Sequence, residues 1–160
     1  VISLVVEDGK TPLLLILDGI TDIRNIGGIA RSAYAMGVHA LIIPAKGVGT
    51  LNEDALITSA GALEQLAVCR VQSLMKTVDD LHQNGILVYA SEMKATKKCA
   101  DLDFSIPCAI VVGGEENGIQ TSLLKICDEQ FNIPMPGEFE SLNVSVATGM
   151  ALYEAVRQRT

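Results

Sequence analysis

The continuous apolar run at residues 13–17, Leu-Leu-Leu-Ile-Leu, constrains the fold most. A strand covered on one face alternates apolar and polar residues, whereas an uninterrupted run is typical of a parallel strand buried on both faces. Five more strands are predicted at residues 39–43, 66–71, 86–91, 108–112 and 130–133. Helices are predicted at 25–36, 52–60, 73–83 and 121–128, the first three capped by Asn25, Asn52 and Ser73, with a last one opening at Ser141 or Asn143. The pattern predicts an α/β fold: a mostly parallel six-stranded sheet with helices on both faces.

Composition narrows the class of protein. The chain has 160 residues, of which 49% are apolar, and this size predicts one globular domain. No apolar run reaches the roughly 18 residues of a membrane helix, and residues 1–7 lack the basic start of a signal peptide. The four cysteines form no C-x-x-C pair, so we expect reduced, mostly buried thiols, no metal and a cytoplasmic location. A net charge of −7 opposes nucleic-acid binding through a bulk positive field.

Three loops at the predicted carboxyl edge of the sheet are candidate sites, since open parallel sheets bind ligands there. One carries Gly27-Gly28 at a helix start, one reads Gly-Gly-Glu-Glu-Asn-Gly at 113–118, and one holds Pro134 and Pro136 before the last helix. Two alternative interpretations stay open: a plain glycine-rich turn at 113–118, and an ordinary capped helix after the loop with Pro134 and Pro136. Nearby lysines at 94, 97 and 98 fit a solvated loop better than a phosphate-facing patch.

The three loops carry motifs in a definite order and spacing. They read Asn-Ile-Gly-x-x-x-Arg at 25–31, Gly-x-Glu-x-x-Gly at 113–118, and Ile-Pro-Met at 133–135 followed by Ser-Leu-Asn-Val-Ser at 141–145. The chain from residue 13 onward resembles the SpoU-type (SPOUT superfamily) RNA 2′-O-ribose methyltransferases, and within them the bacterial 23S rRNA guanosine branch. Ile23 stands where the first motif usually has proline, and Glu116-Asn117 where smaller residues are frequent. These departures concern substrate positioning more than chemistry.

The resemblance implies a C-terminal trefoil knot, a homodimer and S-adenosylmethionine as cofactor. It implies catalytic roles for five residues: Asn25, Arg31, Glu115, Ser141 and Asn143. It also implies a cofactor site formed by Gly113, Gly118, Ile133, Met135 and Leu142. Residues 13–160 would be the catalytic domain and residues 1–12 a remnant of a linker or N-terminal extension. An RNA-binding N-terminal domain would then be missing, and ribosomal RNA would be the substrate, with transfer RNA as the alternative.

The chemistry assigns roles to these side chains. A ribose 2′-hydroxyl is a weak nucleophile, so the protein must align it with the methyl group and ease the loss of its proton. The Arg31 guanidinium holds its proton too tightly to be a good base, so we expect it to stabilise the developing alkoxide and bind the adjacent phosphate. Glu115 could orient Arg31 or accept the proton, and both options stay open.

Two other classes of protein fit parts of the sequence. A nucleotide-dependent Rossmann-type enzyme, such as an oxidoreductase, would explain the alternating pattern but not the segment at 141–145, and the early glycine fingerprint is missing. A non-catalytic RNA-binding or dimerisation module would be expected to lack Arg31 or Asn143, and both are present. Ala147, Ala151 and Ala155, spaced by four, predict either a helix surface for a second copy or packing within the chain.

Overall fold

The computed structural model describes residues 1–46, 60–137 and 141–160. Six strands form one sheet in which every pairing is parallel, in the order β3-β2-β1-β5-β4-β6. The strands are β1 Leu13–Asp18, β2 Ala40–Pro44, β3 Val68–Val71, β4 Leu87–Ser91, β5 Cys108–Gly113 and β6 Glu129–Phe131. The helices are α1 Ile2–Glu7, α2 Ile23–Ala35, α3 Ala62–Gln65, α4 Leu74–Gln83, α5 Thr121–Ile126 and α6 Val144–Arg159. The predicted fold class is confirmed, while the helix predicted from Asn52 lies outside the described residues and the knot stays a prediction.

Helices cover both faces of the sheet, which explains the uninterrupted apolar run of β1. Leu13, Leu15 and Leu17 belong to a core shared with α2 and α6. Leu14 and Ile16 belong to a second core shared with α4 and α5. Because both sets are fully buried, neither face of this strand can carry polar residues before its last position.

The central strands β1 and β5 bring two of the predicted motif loops together. They pair without a break from Leu13 opposite Cys108 to Asp18 opposite Gly113. Both strands therefore end at the same level of the sheet, and the loops that follow them leave from neighbouring positions. The shared carboxyl edge is where a ligand was expected.

Several element boundaries differ from the prediction. Helix α2 begins at Ile23 because the Asp22 carboxylate caps it, accepting a hydrogen bond from the Arg24 backbone N–H at 2.8 Å. The prediction of Asn25 as the cap was wrong, and Asn25 lies in the first turn of the helix. The predicted cap at Ser73 is confirmed, since its hydroxyl accepts from the backbone of Lys76.

The elements near the C-terminus are shorter than predicted. Helix α5 ends at Ile126, because the backbone of Asp128 leaves it to donate to Val88 of β4 at 2.8 Å. Strand β6 ends at Phe131, and Asn132 turns to pair with the Lys97 carbonyl. After β6, the chain therefore pairs with the segment that follows β4. At the other end of the chain, the short helix α1 was not predicted.

The cysteines behave as the sequence predicted. All four are free thiols, with Cys99 and Cys108 buried and Cys69 and Cys127 half-buried. Burial raises the pKa of Cys99 to about 12 and that of Cys108 to about 11, so both stay protonated at neutral pH. Across the described residues, no helix is both long and apolar enough to cross a lipid bilayer.

The last helix, α6, is fixed at both ends. At its start, Asn143 caps it by accepting from the backbone N–H of Ser145 at 2.9 Å, which selects Asn143 over Ser141 as the cap. Near its end, the Arg159 guanidinium donates to the backbone carbonyls of Thr11, Pro12, Phe104 and Ile106 at 2.6–3.0 Å. The helix is therefore tied to the segments that lead into β1 and β5.

The alanines of α6 pack within the chain. Ala151 and Ala155 are fully buried in the core shared with α2, and Ala147 is half-buried. Of the two open interpretations, packing inside one chain is the correct one for Ala151 and Ala155, because both are fully buried within the chain. A partner surface on α6 must use other residues.

Candidate functional site

A cavity of about 640 Å³ opens at the carboxyl edge of β4, β5 and β6. The five residues predicted to hold the cofactor all line it: Gly113, Gly118, Ile133, Met135 and Leu142. The start of α6 closes one side with Ala147 and Thr148, and the loop after β4 closes another with Glu92, Met93 and Lys94. The cavity therefore combines apolar side chains with backbone groups of the loops, as sites for small organic ligands usually do.

The loop at residues 113–118 is folded tightly on itself. Gly118 has a left-handed backbone, with φ of +62°, and its N–H donates to the Gly114 carbonyl at 2.8 Å. A Cβ at Gly113 would lie 2.3 Å from the carbonyl carbon of Gly118, so no side chain fits there. The two glycines at the motif's ends are therefore required by the loop's own geometry.

A second cavity, of about 470 Å³, lies on the other side of this loop. Its lining comes from the end of β1 and the start of α2, including Asp18, Thr21, Asp22 and Asn25. Residues 114–118 and Val144 line both cavities. The loop after β5 and the start of α6 thus form a wall with one cavity on each side.

Three of the predicted catalytic side chains form one hydrogen-bonded group in this wall. The Asn143 amide nitrogen donates to the Glu115 carboxylate at 3.0 Å and to the side-chain oxygen of Asn25 at 3.2 Å. The same Glu115 oxygen accepts from the backbone N–H of Val144 at 3.3 Å. A carboxylate is favoured at this position because the free N–H groups of a helix start carry partial positive charge.

The other two predicted catalytic residues lie apart from this group. Ser141 lines the larger cavity, two residues before the helix cap. Arg31 is exposed on α2 and lines neither cavity. In the described chain, the Glu115 carboxylate accepts two hydrogen bonds, and both come from the start of α6. Within that part of the chain, Arg31 forms no ion pair with Glu115. Of the two options for Glu115, orienting Arg31 is not seen within one chain.

Asp18, the last residue of β1, was not predicted to belong to the site, although it lines the smaller cavity. The residue is only 4% exposed, and its carboxylate accepts the backbone N–H of Gln120 at 2.8 Å. Its backbone carbonyl accepts from Gly114 at 3.0 Å. Asp18 therefore holds both ends of the loop at 114–120 against the strand. An acidic residue directly after five apolar ones was the available signal.

The lysines after β4 do not form one patch. Lys97 pairs with Glu129 at 2.7 Å, and Lys98 is exposed near a short 3-10 helix at Cys99–Asp101. Lys94 is exposed and lines the larger cavity. The predicted solvated loop fits Lys97 and Lys98, whereas Lys94 lies at the edge of the larger cavity.

The fold and this site together define a class: an α/β protein with two ligand-sized cavities at the carboxyl edge of a parallel sheet, beside a hydrogen-bonded group of polar side chains. The family model described as "SpoU rRNA Methylase family" matches residues 12–153. The chain belongs to this family.

Named relatives and solved structures agree with this assignment. The chain is 45% identical over 159 residues to the 23S rRNA (guanosine-2'-O-)-methyltransferase RlmB of Xylella fastidiosa (strain 9a5c), covering 99% of this chain and 64% of that protein. It is 44% identical over 147 residues to the RlmB of Xanthomonas axonopodis pv. citri (strain 306), covering 92% and 59%. The chain thus spans about three fifths of the length of the relatives it matches.

Among solved structures, the SpoU methyltransferase AviRb from Streptomyces viridochromogenes superimposes with a TM-score of 0.86 at 32% identity, covering 92% of this chain and 60% of AviRb. The same methyltransferase in complex with the cofactor AdoMet superimposes with a TM-score of 0.84 at 31% identity, covering 93% and 60%. Because the likeness covers more than nine tenths of this chain, the chain has the α/β fold of the family.

Proposed function

We propose that the chain is the catalytic part of an S-adenosylmethionine-dependent methyltransferase that modifies a ribose 2′-hydroxyl of RNA, with a guanosine of 23S rRNA as the target. The observation that carries the proposal is the wall shared by the two cavities, because it places Glu115, Asn143 and Asn25 between two ligand-sized spaces. Methyl transfer would need the ribose oxygen within about 3–3.5 Å of the methyl carbon, so the two ligands would have to meet at this wall, where these side chains can align them. The names of the RlmB relatives support the choice of substrate.

The larger cavity fits S-adenosylmethionine in size and character. Its volume of about 640 Å³ lies within the usual range for sites of small ligands. Ile133, Met135 and Leu142 supply apolar contacts, and the backbone of the loops supplies donors and acceptors at fixed positions. When bound, the cofactor supplies a methyl group already activated by its sulfonium charge. Support comes from AviRb, which has been solved with AdoMet bound.

The smaller cavity is the place we assign to the target nucleotide. Asn25 and Glu115 line it and would hold the ribose hydroxyl by donating and accepting hydrogen bonds. Glu115 would accept the hydroxyl proton, the option that the single-chain geometry leaves open. Arg31, exposed on α2, would bind the phosphate next to this nucleotide and stabilise the negative charge that develops on oxygen. Ser141 would contact the nucleotide from the cofactor side.

Methyl transfer tests the proposal. The chain would be incubated with S-adenosylmethionine carrying a labelled methyl group and, in separate reactions, with transcripts of 23S rRNA or transfer RNA. Low ionic strength preserves weak contacts with RNA. We expect 2′-O-methylguanosine from the 23S transcript after digestion to nucleosides, but in low yield, because the acidic chain binds RNA weakly by itself. Label in transfer RNA alone would support the alternative substrate, and calorimetric binding of NAD rather than S-adenosylmethionine would support a Rossmann-type enzyme and refute the proposal.

We further propose that the protein is a homodimer in which both chains border each site. Val146, Met150 and Tyr153 recur along one side of α6 and are 46–61% exposed, next to the helix start that carries Asn143. Apolar side chains at this spacing form a stripe that another helix can cover. Light scattering at micromolar concentration should give about twice the chain mass of 17.0 kDa. A monomer would refute this assignment.

RNA delivery is proposed to depend on a separate domain. The chain carries 12 basic and 19 acidic residues, whereas RNA affinity comes mainly from lysine and arginine contacts that release counterions. Residues 1–12 would belong to a linker or extension that connects the catalytic domain to an RNA-binding domain. Mobility-shift experiments near physiological salt should show weak, salt-sensitive binding of 23S fragments to this chain. Tight, sequence-selective binding would show that the catalytic domain carries its own recognition surface.

A further inference from the structure

Every hydrogen-bonding position of the Asn143 side chain is occupied. The backbone N–H of Ser145 can only donate, so the atom that it meets at 2.9 Å is the amide oxygen. The Ser145 hydroxyl donates to the same oxygen at 2.5 Å. The two hydrogens of the amide nitrogen go to Glu115 and Asn25. Asn143 therefore cannot bind a substrate without giving up a bond it already makes.

We propose that Ser145 is a positioning residue for the methyl transfer, acting through Asn143; this inference rests on the proposed function. By holding the amide oxygen, Ser145 keeps the amide nitrogen directed at Asn25 and Glu115. Asn25 receives a donor on its oxygen, so its own amide nitrogen is left to donate outward. Glu115 has one oxygen bonded to α6 and the other free of hydrogen bonds to the described chain. The Asn25 amide nitrogen is thus a fixed donor, and the second Glu115 oxygen a fixed acceptor, beside the smaller cavity.

The packing of α2 on α6 supports this role independently. A Cβ at Gly28 would lie 3.3 Å from the Cβ of Ser145 and 3.5 Å from its hydroxyl oxygen. The absence of a side chain at Gly28 thus leaves room for the hydroxyl to sit against Asn143. Because Gly28 lies one turn after Asn25 on α2, the same contact sets the distance between Asn25 and the start of α6.

Removing the hydroxyl should slow transfer without weakening cofactor binding. In Ser145→Ala the amide oxygen keeps only its backbone donor, so the Asn143 side chain gains freedom to turn away. We expect kcat to fall about tenfold, the effect of losing roughly one hydrogen bond in the transition state. The dissociation constant of S-adenosylmethionine, measured by calorimetry, should change by less than about twofold, because Ser145 does not line that cavity.

The control variants separate positioning from packing. Ser145→Thr keeps the hydroxyl and should recover most of the lost kcat, whereas Gly28→Ala should lower kcat by crowding that hydroxyl. Ser32→Ala is the matched control, since Ser32 also faces α6, beside Gly149, but does not touch Asn143. Wild-type kcat in Ser145→Ala, or an equal loss in Ser32→Ala, would overturn the proposal. The double variant of Ser145→Ala with Glu115→Gln should lose less than the product of the two single losses.

A second readout does not depend on activity. In nuclear magnetic resonance spectra, the side-chain amide protons of Asn143 should exchange slowly with water in the wild type and at least several-fold faster in Ser145→Ala. Unchanged exchange would overturn the role assigned to Ser145 even in a protein that transfers no methyl group. If the wild type bound no S-adenosylmethionine while exchange changed as expected, the proposed function would fail and the positioning of Asn143 would stand.

Discussion

Replacing Arg159 by methionine should destabilise the fold while leaving the chemistry of the site unchanged. Its guanidinium donates to four backbone carbonyls: two in the segment before β1 and two in the segment before β5. Methionine keeps most of the apolar stem but leaves these carbonyls without their donor. The variant therefore measures how strongly the end of α6 is held to the sheet.

The magnitude follows from the type of bond. A hydrogen bond from a charged donor contributes about 1.5–3 kcal/mol, and bonds that share one side chain do not add in full. The Arg159 side chain is half-buried, so water can reach some of the vacated carbonyls. We expect a loss of about 3 kcal/mol in the free energy of unfolding. For a domain of this size, that loss corresponds to a fall in Tm of about 6–12 °C.

Thermal unfolding followed by circular dichroism, at a fixed protein concentration, measures this loss. Arg157→Met is the matched control, because Arg157 lies on the same helix but is exposed and pairs with Glu154 three positions earlier on that helix. Its Tm should stay close to that of the wild type. Equal Tm values for the two variants would refute the reasoning. Asn143 lies at the opposite end of the 16-residue helix, about 24 Å away, so cofactor affinity at low temperature should be unchanged in both.

Two further predictions concern Arg31 and His39. Arg31→Ala should abolish methyl transfer but change the affinity for S-adenosylmethionine by less than about threefold in calorimetry, since Arg31 lies outside the larger cavity. Loss of both methyl transfer and cofactor binding would refute the proposed division of roles. Burial, with the charges of Arg159 and Lys10, lowers the pKa of His39 below 6.5, and its ring nitrogen accepts the backbone N–H of Leu13 at 3.0 Å. The unfolded chain therefore binds the proton more readily, so stability present at neutral pH should fall as pH drops below about 6.5. His39→Asn, which keeps an acceptor but does not titrate, should lose less stability than the wild type between pH 7 and 5 in urea titrations, and equal slopes would contradict this account.

The fold was predictable because its strongest signals are local. Each strand of the central pair β1 and β5 is an unbroken apolar run, and such runs arise where helices cover both faces of a sheet. The boundaries were less predictable. Asp22 and Asn25 are both good helix caps, and the choice between them depends on which one the loop after β1 presents to the free N–H groups.

The motifs predicted that the five proposed cofactor residues would lie together, but not which hydrogen bonds the polar side chains nearby would form. The five proposed cofactor residues all meet in one cavity, although they are drawn from positions 113 to 142. The bond from Asn143 to Asn25 joins side chains 118 positions apart, and no local pattern indicates which atoms would pair. The role of Asp18 was hidden for the same reason, since its partner Gln120 is 102 positions away.

Helix geometry explains why Arg31 does not join the group around Asn143. With α2 continuous from Ile23, Asn25 and Arg31 both lie within one regular helix, six positions apart. At about 100° per residue, six positions amount to about 600°, which leaves the two side chains roughly 120° apart around the helix axis. Asn25 faces the start of α6, so Arg31 must point to a different side and cannot line the same cavity. Within one chain, an Arg31 that acts on the substrate therefore requires RNA that extends beyond the smaller cavity and around α2, which is where we place the phosphate next to the target nucleotide.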